Sequence, residues 1–301
     1  FQINSSTFAT DSNFSGLGVG SWVVTIKDKN SCIDTVTFVL KNSDTQKPSV
    51  VLKNITRYLN NAGKVSISAS DVDQNISDNC ELKSVNLSKT EFDCSNIGAN
   101  SVQVTAVDAS GNSQTNTCTV TILDTIKPNL KTQSVNVYLS TLGKASLTAA
   151  QVNNGSSDNC SISQFTVSKT QFDCSDLGSN QVNFSAIDAS GNTSTSSVQI
   201  QVQDTLKPVL KYKNIIVFLN SSGSISITPA DVDDGSTDNC KISKYEISQS
   251  TFNCNNLGTN FIDFKIFDPA QNVSSQSVRV TVQDTFKPVS KTKPVTLYLN
   301  Q

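Results

Sequence analysis

The residues of this chain that could do chemistry are its cysteines and a recurring set of aspartates and asparagines. Asp78-Asn79-Cys80, Asp158-Asn159-Cys160 and Asp238-Asn239-Cys240 recur at a constant step of 80 residues. Each is followed by a Phe-x-Cys, at Phe92 to Cys94, Phe172 to Cys174 and Phe252 to Cys254. Two chemistries suit these types. Paired cysteines can oxidise to disulfides, and clustered carboxylate and amide oxygens can hold a hard cation such as calcium. Nucleophilic triads are excluded, because there is no histidine in the 301 residues. Carboxylate pairs occur only in loops repeated three times, with no sign of a unique cleft. The expectation is therefore a protein that is not an enzyme.

Six of the eight cysteines form the regular set Cys80/Cys94, Cys160/Cys174 and Cys240/Cys254. The constant spacing within each unit predicts three disulfides inside the units, and with them an oxidising, extracellular compartment. A loop of roughly 15 residues closed this way is worth about 3 kcal/mol in the chain-entropy model. Two thiolates without histidine cannot complete a zinc tetrahedron within one unit. Cys118 stands where Val198 and Val278 stand in the other units, on an alternating apolar face. It is expected to be a buried free thiol. Cys32 lies in different sequence and is expected to pair with a residue upstream of Phe1.

The oxygen-bearing candidates are Asp78, Asn79 and Asp108 in the first unit. Asp124, Asp158, Asn159 and Asp188 correspond to them in the second, and Asp204, Asp238, Asn239 and Asp268 in the third. They fall at the ends of units, where two units would meet, so they are candidate calcium ligands at a joint. The same types are also standard turn formers through side-chain to backbone hydrogen bonds, and both readings stand at this stage. Gly111 and Gly191 become Gln271 in the third unit while Asp268 and Asn272 are kept, which favours a role for those two side chains. Asp71-x-Asp73-x-Asn75 and Asp231-x-Asp233 look like the start of a calcium loop. The second copy loses the charge and no copy has the distal Glu, so an EF-hand-like site is not expected.

The elements that must position these residues are strands. Asp-Thr-x-Lys-Pro opens a unit at Asp44, Asp124 and Asp204, and again at Asp284. An alternating strand follows at Ile55 to Leu59, Val135 to Leu139, Ile215 to Leu219 and Val295 to Leu299. A turn glycine comes next at Gly63, Gly143 and Gly223. Val102, Val104 and Ala106 alternate with polar residues, as do Val182, Phe184 and Ala186, and Ile262, Phe264 and Ile266. About seven short strands per unit and no helical period predict an all-β chain of tandem immunoglobulin-like β-sandwich modules. Short, proline-bearing linkers predict an extended rod. The expected division is 1–43 (a truncated domain of another type), 44–123, 124–203, 204–283, and 284–301 as the start of a fourth repeat. Absence of Met, position 1 included, reads as an internal or processed fragment.

Net charge is −2 and no basic patch is present, so no nucleic-acid partner is expected. No apolar run reaches the length of a membrane span.

The pattern Asp-Asn-Cys … Phe-x-Cys-x-x-Leu/Ile-Gly-x-Asn … Asp-x-x-Gly-Asn resembles the hyalin-repeat-like (HYR-like) modules of very large Bacteroidetes surface proteins. Phe14 to Cys32 is similar to the end of a SprB-type repeat, the kind found in giant gliding-motility adhesins. The resemblance implies type 9 secretion and display on the outer surface of a Gram-negative bacterium. It implies a non-catalytic stalk acting in adhesion or gliding. Its partners would be a surface or polysaccharide bound by other parts of the parent protein, and the secretion and motility machinery. Hyalin repeats often pair a cysteine near the module start with one in the last strand. Only Cys118 remains of that pair here, which agrees with a free thiol. Asp-Thr followed by an aliphatic residue, at Thr35, Thr125 and Thr205, resembles a Bacteroidetes O-glycosylation signal. A glycan- or protein-binding array, and accessory domains of a secreted enzyme, are the alternative functions. The variable polar loops carry no aromatic residue for stacking on sugars, which favours the stalk.

Overall fold

The computed structural model describes residues 2–3, 15–40 and 44–297. Phe14 and Leu299 lie outside the described residues. The chain is almost entirely β, built of tandem immunoglobulin-like sandwiches. It divides into two compact units. The first comprises Phe1–Ile126 with Asn159–Ser161, and the second Lys127–Asp158 with Ile162–Gln301.

In the first unit, Gly20–Lys27 and Ile33–Leu40 form an antiparallel hairpin, with Gly20 opposite Leu40 and Lys27 opposite Ile33. The repeat that follows is a sandwich. Its larger sheet orders Ile55–Tyr58, Ser113–Leu123, Gly98–Asp108 and Leu82–Leu87 side by side. Ile55–Tyr58 runs parallel to the last strand, and the other pairings are antiparallel. The opposite layer is two short ladders, Ser49–Leu52 with Asp73–Ser77 and Lys64–Ser66 with Glu91–Asp93. Strict alternation in Gly98–Asp108 buries Val102, Val104 and Ala106 completely. Val102 and Val104 share a core with Val120 and Ile122 from the same sheet and Phe92, Val65 and Leu52 from the other layer.

The second unit contains the same sandwich twice. One sheet orders Val135–Tyr138, Thr193–Gln203, Gly178–Asp188 and Ile162–Val167. The next orders Ile215–Phe218, Val273–Gln283, Gly258–Phe267 and Lys244–Ile247. Each has its own core, around Phe172 and Phe184 in one and Phe252 and Phe264 in the other. Phe165 stacks on Phe184 at 5.5 Å.

Two expectations need correction. The polar loops after the second ladder strand contain one-turn helices, Ala69–Val72, Ala149–Val152 and Pro229–Val232. Each starts on a reciprocal cap: Ser68 with Asp71, Thr148 with Gln151, Thr228 with Asp231. That Ser/Thr-x-x-Asp/Gln signature was available in the sequence, but a single turn has no periodicity to reveal it. Val295–Leu297, expected in a strand, are in no strand here. Among the described residues no helix is long and apolar enough to cross a membrane.

Cys118 is free and buried, on the inner face of Ser113–Leu123. Burial pushes its thiol pKa up, so little reactive thiolate forms at neutral pH. Cys118→Val is expected to change stability by less than about 1.5 kcal/mol, as for a near-isosteric apolar swap. Denaturant midpoints of the two proteins measure this, and rapid alkylation of native Cys118 would contradict its burial.

Candidate functional site: an acidic joint beside a disulfide

The strand register decides which cysteines can meet. Leu82, just after Cys80, pairs with Asp108 at one end of the long strand Gly98–Asp108. Cys94 opens the single 3-10 turn Cys94–Asn96 at the other end, just before Gly98. Eleven residues at about 3.3 Å each separate these ends by roughly 35 Å. A disulfide tolerates only about 4.4–6.8 Å between Cα atoms. The expected pairs Cys80–Cys94, Cys160–Cys174 and Cys240–Cys254 are therefore wrong. The structure joins Cys94 to Cys160 in the first unit and Cys174 to Cys240 in the second, with Cα separations of 5.5 and 5.4 Å. Each bond links the Phe-x-Cys of one repeat to the Asp-Asn-Cys of the next. Cys32, Cys80 and Cys254 are free and exposed. Cys32 closes the hairpin turn, where its N–H donates to Asp28 Oδ1 at 2.8 Å.

Beside the Cys174–Cys240 bond, the second unit gathers three carboxylates. Asp204 begins the linker, Asp238 sits two residues before Cys240, and Asp268 starts the turn before the last strand. One oxygen of each lies within 4.8 Å of the others. That is the largest separation of two oxygens sharing one ion at about 2.4 Å, within the calcium range. Asp268 is fully buried and Asp204 is 5% exposed.

Hydrogen bonds hold the carboxylates in place and leave one oxygen of Asp204 and one of Asp238 open. Asp268 Oδ1 accepts from Asn272 N–H at 2.8 Å and Oδ2 from Asn272 Nδ2 at 2.7 Å. The same Nδ2 donates to Asp204 O at 3.0 Å, which ties the turn to the linker. Asp204 Oδ1 accepts from Leu206 N–H and Asp238 Oδ2 from Cys240 N–H. Asp204 Oδ2, Asp238 Oδ1 and Asn239 Oδ1 are buried with no hydrogen-bond partner. Among the described residues, no Lys or Arg forms an ion pair with these three aspartates. Carboxylates this close repel one another by about 3 kcal/mol per pair at an effective dielectric near 20. Two of the three clustered carboxylates keep a buried oxygen without a donor, which fits a hard cation.

Gln271 occupies the left-handed region at φ +68°, where Gly111 and Gly191 stand at +95° and +89°. A non-glycine residue costs about 1–2 kcal/mol there. The turn persists because Asp268 and Asn272 clamp it from both sides.

The other candidates take related places. In the first unit Asp44, Asp78 and the free Cys80 bring one ligand atom each within the same 4.8 Å, and Asn79 is exposed beside them. Asp108 is buried there. Burial would raise its pKa, but hydrogen bonds from Asn112, Gly111 and Ser110 outweigh this and hold it below the usual carboxylate range. Asp124 Oδ1 accepts from Asn159 Nδ2 at 3.1 Å. In the second unit Asp188 is buried and bonded to Asn192 as Asp268 is to Asn272, Asp158 is half-buried, and Asn239 Nδ2 reaches Ser140 O at 3.3 Å. Thr35, Thr125 and Thr205 are all exposed.

Asp71 and Asp231 are helix caps rather than loop ligands. The Ser68 N–H, the Ser68 hydroxyl and the Arg57 guanidinium, 2.6 Å away, hold Asp71 below the ordinary range. A depressed carboxylate stabilises the fold above its unfolded pKa near 4, and that contribution is lost as pH falls through the lower folded value. Arg57→Ala is expected to raise the Asp71 titration midpoint, read by NMR. The cost at neutral pH should not exceed about 1 kcal/mol, since the pair is partly solvated.

No protein-family model matches the chain, and no curated protein matches it. Solved structures with similar architecture include protocadherin γB7 extracellular domains 3–6 in a cis-dimer structure, at 14% identity and TM-score 0.31. That match covers 87% of this chain and 84% of the other. The extracellular domain of protocadherin γB4 matches at 12% identity and TM-score 0.30, covering 88% and 54%. Protocadherin γB2 domains 1–5 match at 12% and 0.29, covering 89% and 65%.

Proposed function

We propose that this chain is a non-catalytic segment of a large extracellular adhesin, a stalk whose joints between successive repeats are locked by a disulfide and a bound calcium ion. The observation that carries this reading is the convergence of Asp204, Asp238 and Asp268, with the partnerless oxygens of Asp204 and Asp238, beside the Cys174–Cys240 bond. A cation there would tie the linker, the Asp-Asn-Cys turn and the last turn of the third repeat into one body. Asn239, next to Asp238 in sequence, adds a further buried oxygen without a hydrogen-bond partner. The sequence resemblance supports the finer reading, a Bacteroidetes surface adhesin used in adhesion or gliding, with Thr35, Thr125 and Thr205 as O-glycan acceptors.

Calorimetric titration of the chelator-treated chain with calcium tests the joint. Binding with a Kd of about 10⁻⁴–10⁻³ M is expected, the range of extracellular modules. No heat up to 10 mM calcium would reject the calcium joint and leave the disulfide-locked stalk standing.

A second reading, partner binding, is favoured by one surface. In the third repeat Ile216, Phe218 and Phe261 are exposed on the outer face of the sheet. The corresponding residues of the first repeat are Thr56, Tyr58 and Ser101, and of the second Asn136, Tyr138 and Gln181. Phe261→Ser would weaken cell or glycan adhesion if this face binds, and would leave it unchanged in a pure stalk.

A further inference from the structure

Each sandwich has an edge strand in its larger sheet. Leu82–Leu87, Ile162–Val167 and Lys244–Ile247 stand last in their sheets, with a neighbouring strand on one side only. Such an edge invites another strand, and natural proteins blunt it with charge, lysine above all. At the matching positions the first repeat has Ser84 and Asn86, and the second Gln164 and Thr166. The third has Lys244 and Glu246 there, joined as an ion pair. Their side chains lie on the face opposite the core, since Ile247 packs into the core and Tyr245 stacks on Phe264 at 6.4 Å.

The register shows which backbone groups of the third edge face outward. Glu246 stands opposite Lys265, and Lys244 opposite Phe267. Ser248 N–H donates to Asp263 O at 2.9 Å. Bonded and non-bonded pairs alternate along an antiparallel ladder, so Lys244 and Glu246 turn their backbone groups toward Gly258–Phe267. The backbone groups of Tyr245 and Ile247 point the other way, off the sheet. Beside them lies a cleft of about 370 Å³, lined in part by Pro229, Tyr245, Glu246, Ile247 and Ser248.

We infer that Lys244–Ile247 is a self-pairing edge, through which two copies of this chain join their third repeats into one continuous sheet. The charges select the occupant. In an antiparallel pairing centred on Tyr245, that residue faces its own counterpart and exchanges both backbone hydrogen bonds with it. Lys244 of each copy then lies opposite Glu246 of the other. One two-fold axis satisfies both contacts, as a dimer built on a single shared patch requires. A lysine alone would repel its own copy across this edge. A lysine followed two residues later by a glutamate attracts it. The first two repeats lack the pair, so the contact is confined to the third. It goes beyond the stalk reading and requires neither calcium nor the disulfides.

Sedimentation velocity of the full chain, its free thiols first blocked by alkylation, tests this pairing. Dimers are expected with a Kd of about 10⁻³ M or tighter. Lys244→Glu and Glu246→Lys each set like charges against one another in both contacts. Either alone should weaken dimerisation about tenfold, equivalent to roughly 1.4 kcal/mol over the two pairs. Mixed in equal amounts, the two variants should associate as tightly as the parent, because each edge again meets its opposite. Loss of the intrachain ion pair alone predicts no such rescue. The two side chains are 62% and 42% exposed, so both variants should fold. If one does not, the neutral double variant Lys244→Gln/Glu246→Gln should dimerise more weakly than the parent, and equal dimerisation would overturn the edge. A parent chain that stays monomeric up to about 1 mM would overturn it as well. So would single variants that dimerise like the parent, which place the contact elsewhere, or a mixture no tighter than its components.

Discussion

Replacing both Cys174 and Cys240 by serine is expected to destabilise the second unit by about 4 kcal/mol. The two residues are 66 apart in sequence. In the chain-entropy model, closing a loop of that size removes about 4 kcal/mol worth of unfolded-state freedom. The loss should fall mainly on the joint, since each sandwich keeps its own core around Phe172 and Phe184 or around Phe252 and Phe264. Urea unfolding should therefore resolve an earlier transition and a broader one, instead of a single shift. Non-reducing peptide mapping of the native chain supplies the prior check. Peptides joined through Cys160 and Cys174 would contradict the geometry described here.

Calcium at 10 mM is expected to stabilise the chelated protein by between about 1.4 and 2.7 kcal/mol per site, from a Kd of roughly 10⁻³ to 10⁻⁴ M. The melting temperature should rise by roughly 3–10 °C for a unit of this size. Asp204→Asn gives the sharper result. The new side chain can still accept from Leu206 N–H, but it removes one charge and one open oxygen. Without calcium, the variant should be as stable as the parent or more so, because carboxylate repulsion is relieved. With calcium it should be the less stable of the two. The order of the two proteins thus inverts on adding the ion. If Asp204→Asn lowers stability equally in chelator and in calcium, the carboxylate has a structural role and the cation site is wrong.

Much of this molecule was legible from the chain alone. Alternation in Val102, Val104 and Ala106, and in their copies, located the buried strands, because a strand side chain has only two directions to choose between. Cys118 was readable as buried from its valine counterparts for the same reason. The 80-residue period located the repeated sandwich, and the recurrence of Asp204, Asp238 and Asp268 marked residues that the fold brings together.

The disulfide pairing was not legible. A spacing of 14 residues between Cys80 and Cys94 recurs in every repeat, and the spacing of 66 between Cys94 and Cys160 recurs between Cys174 and Cys240. Periodicity alone cannot distinguish them. The strand register does, because Cys80 and Cys94 lie at opposite ends of a strand 11 residues long. The one-turn helices were hidden because four residues are too few to express a helical period. The partnerless state of Asp204 Oδ2 and Asp238 Oδ1 was also beyond the sequence. An aspartate is a turn former or a ligand according to which of its oxygens finds a donor, and that depends on the atoms that tertiary packing places around it.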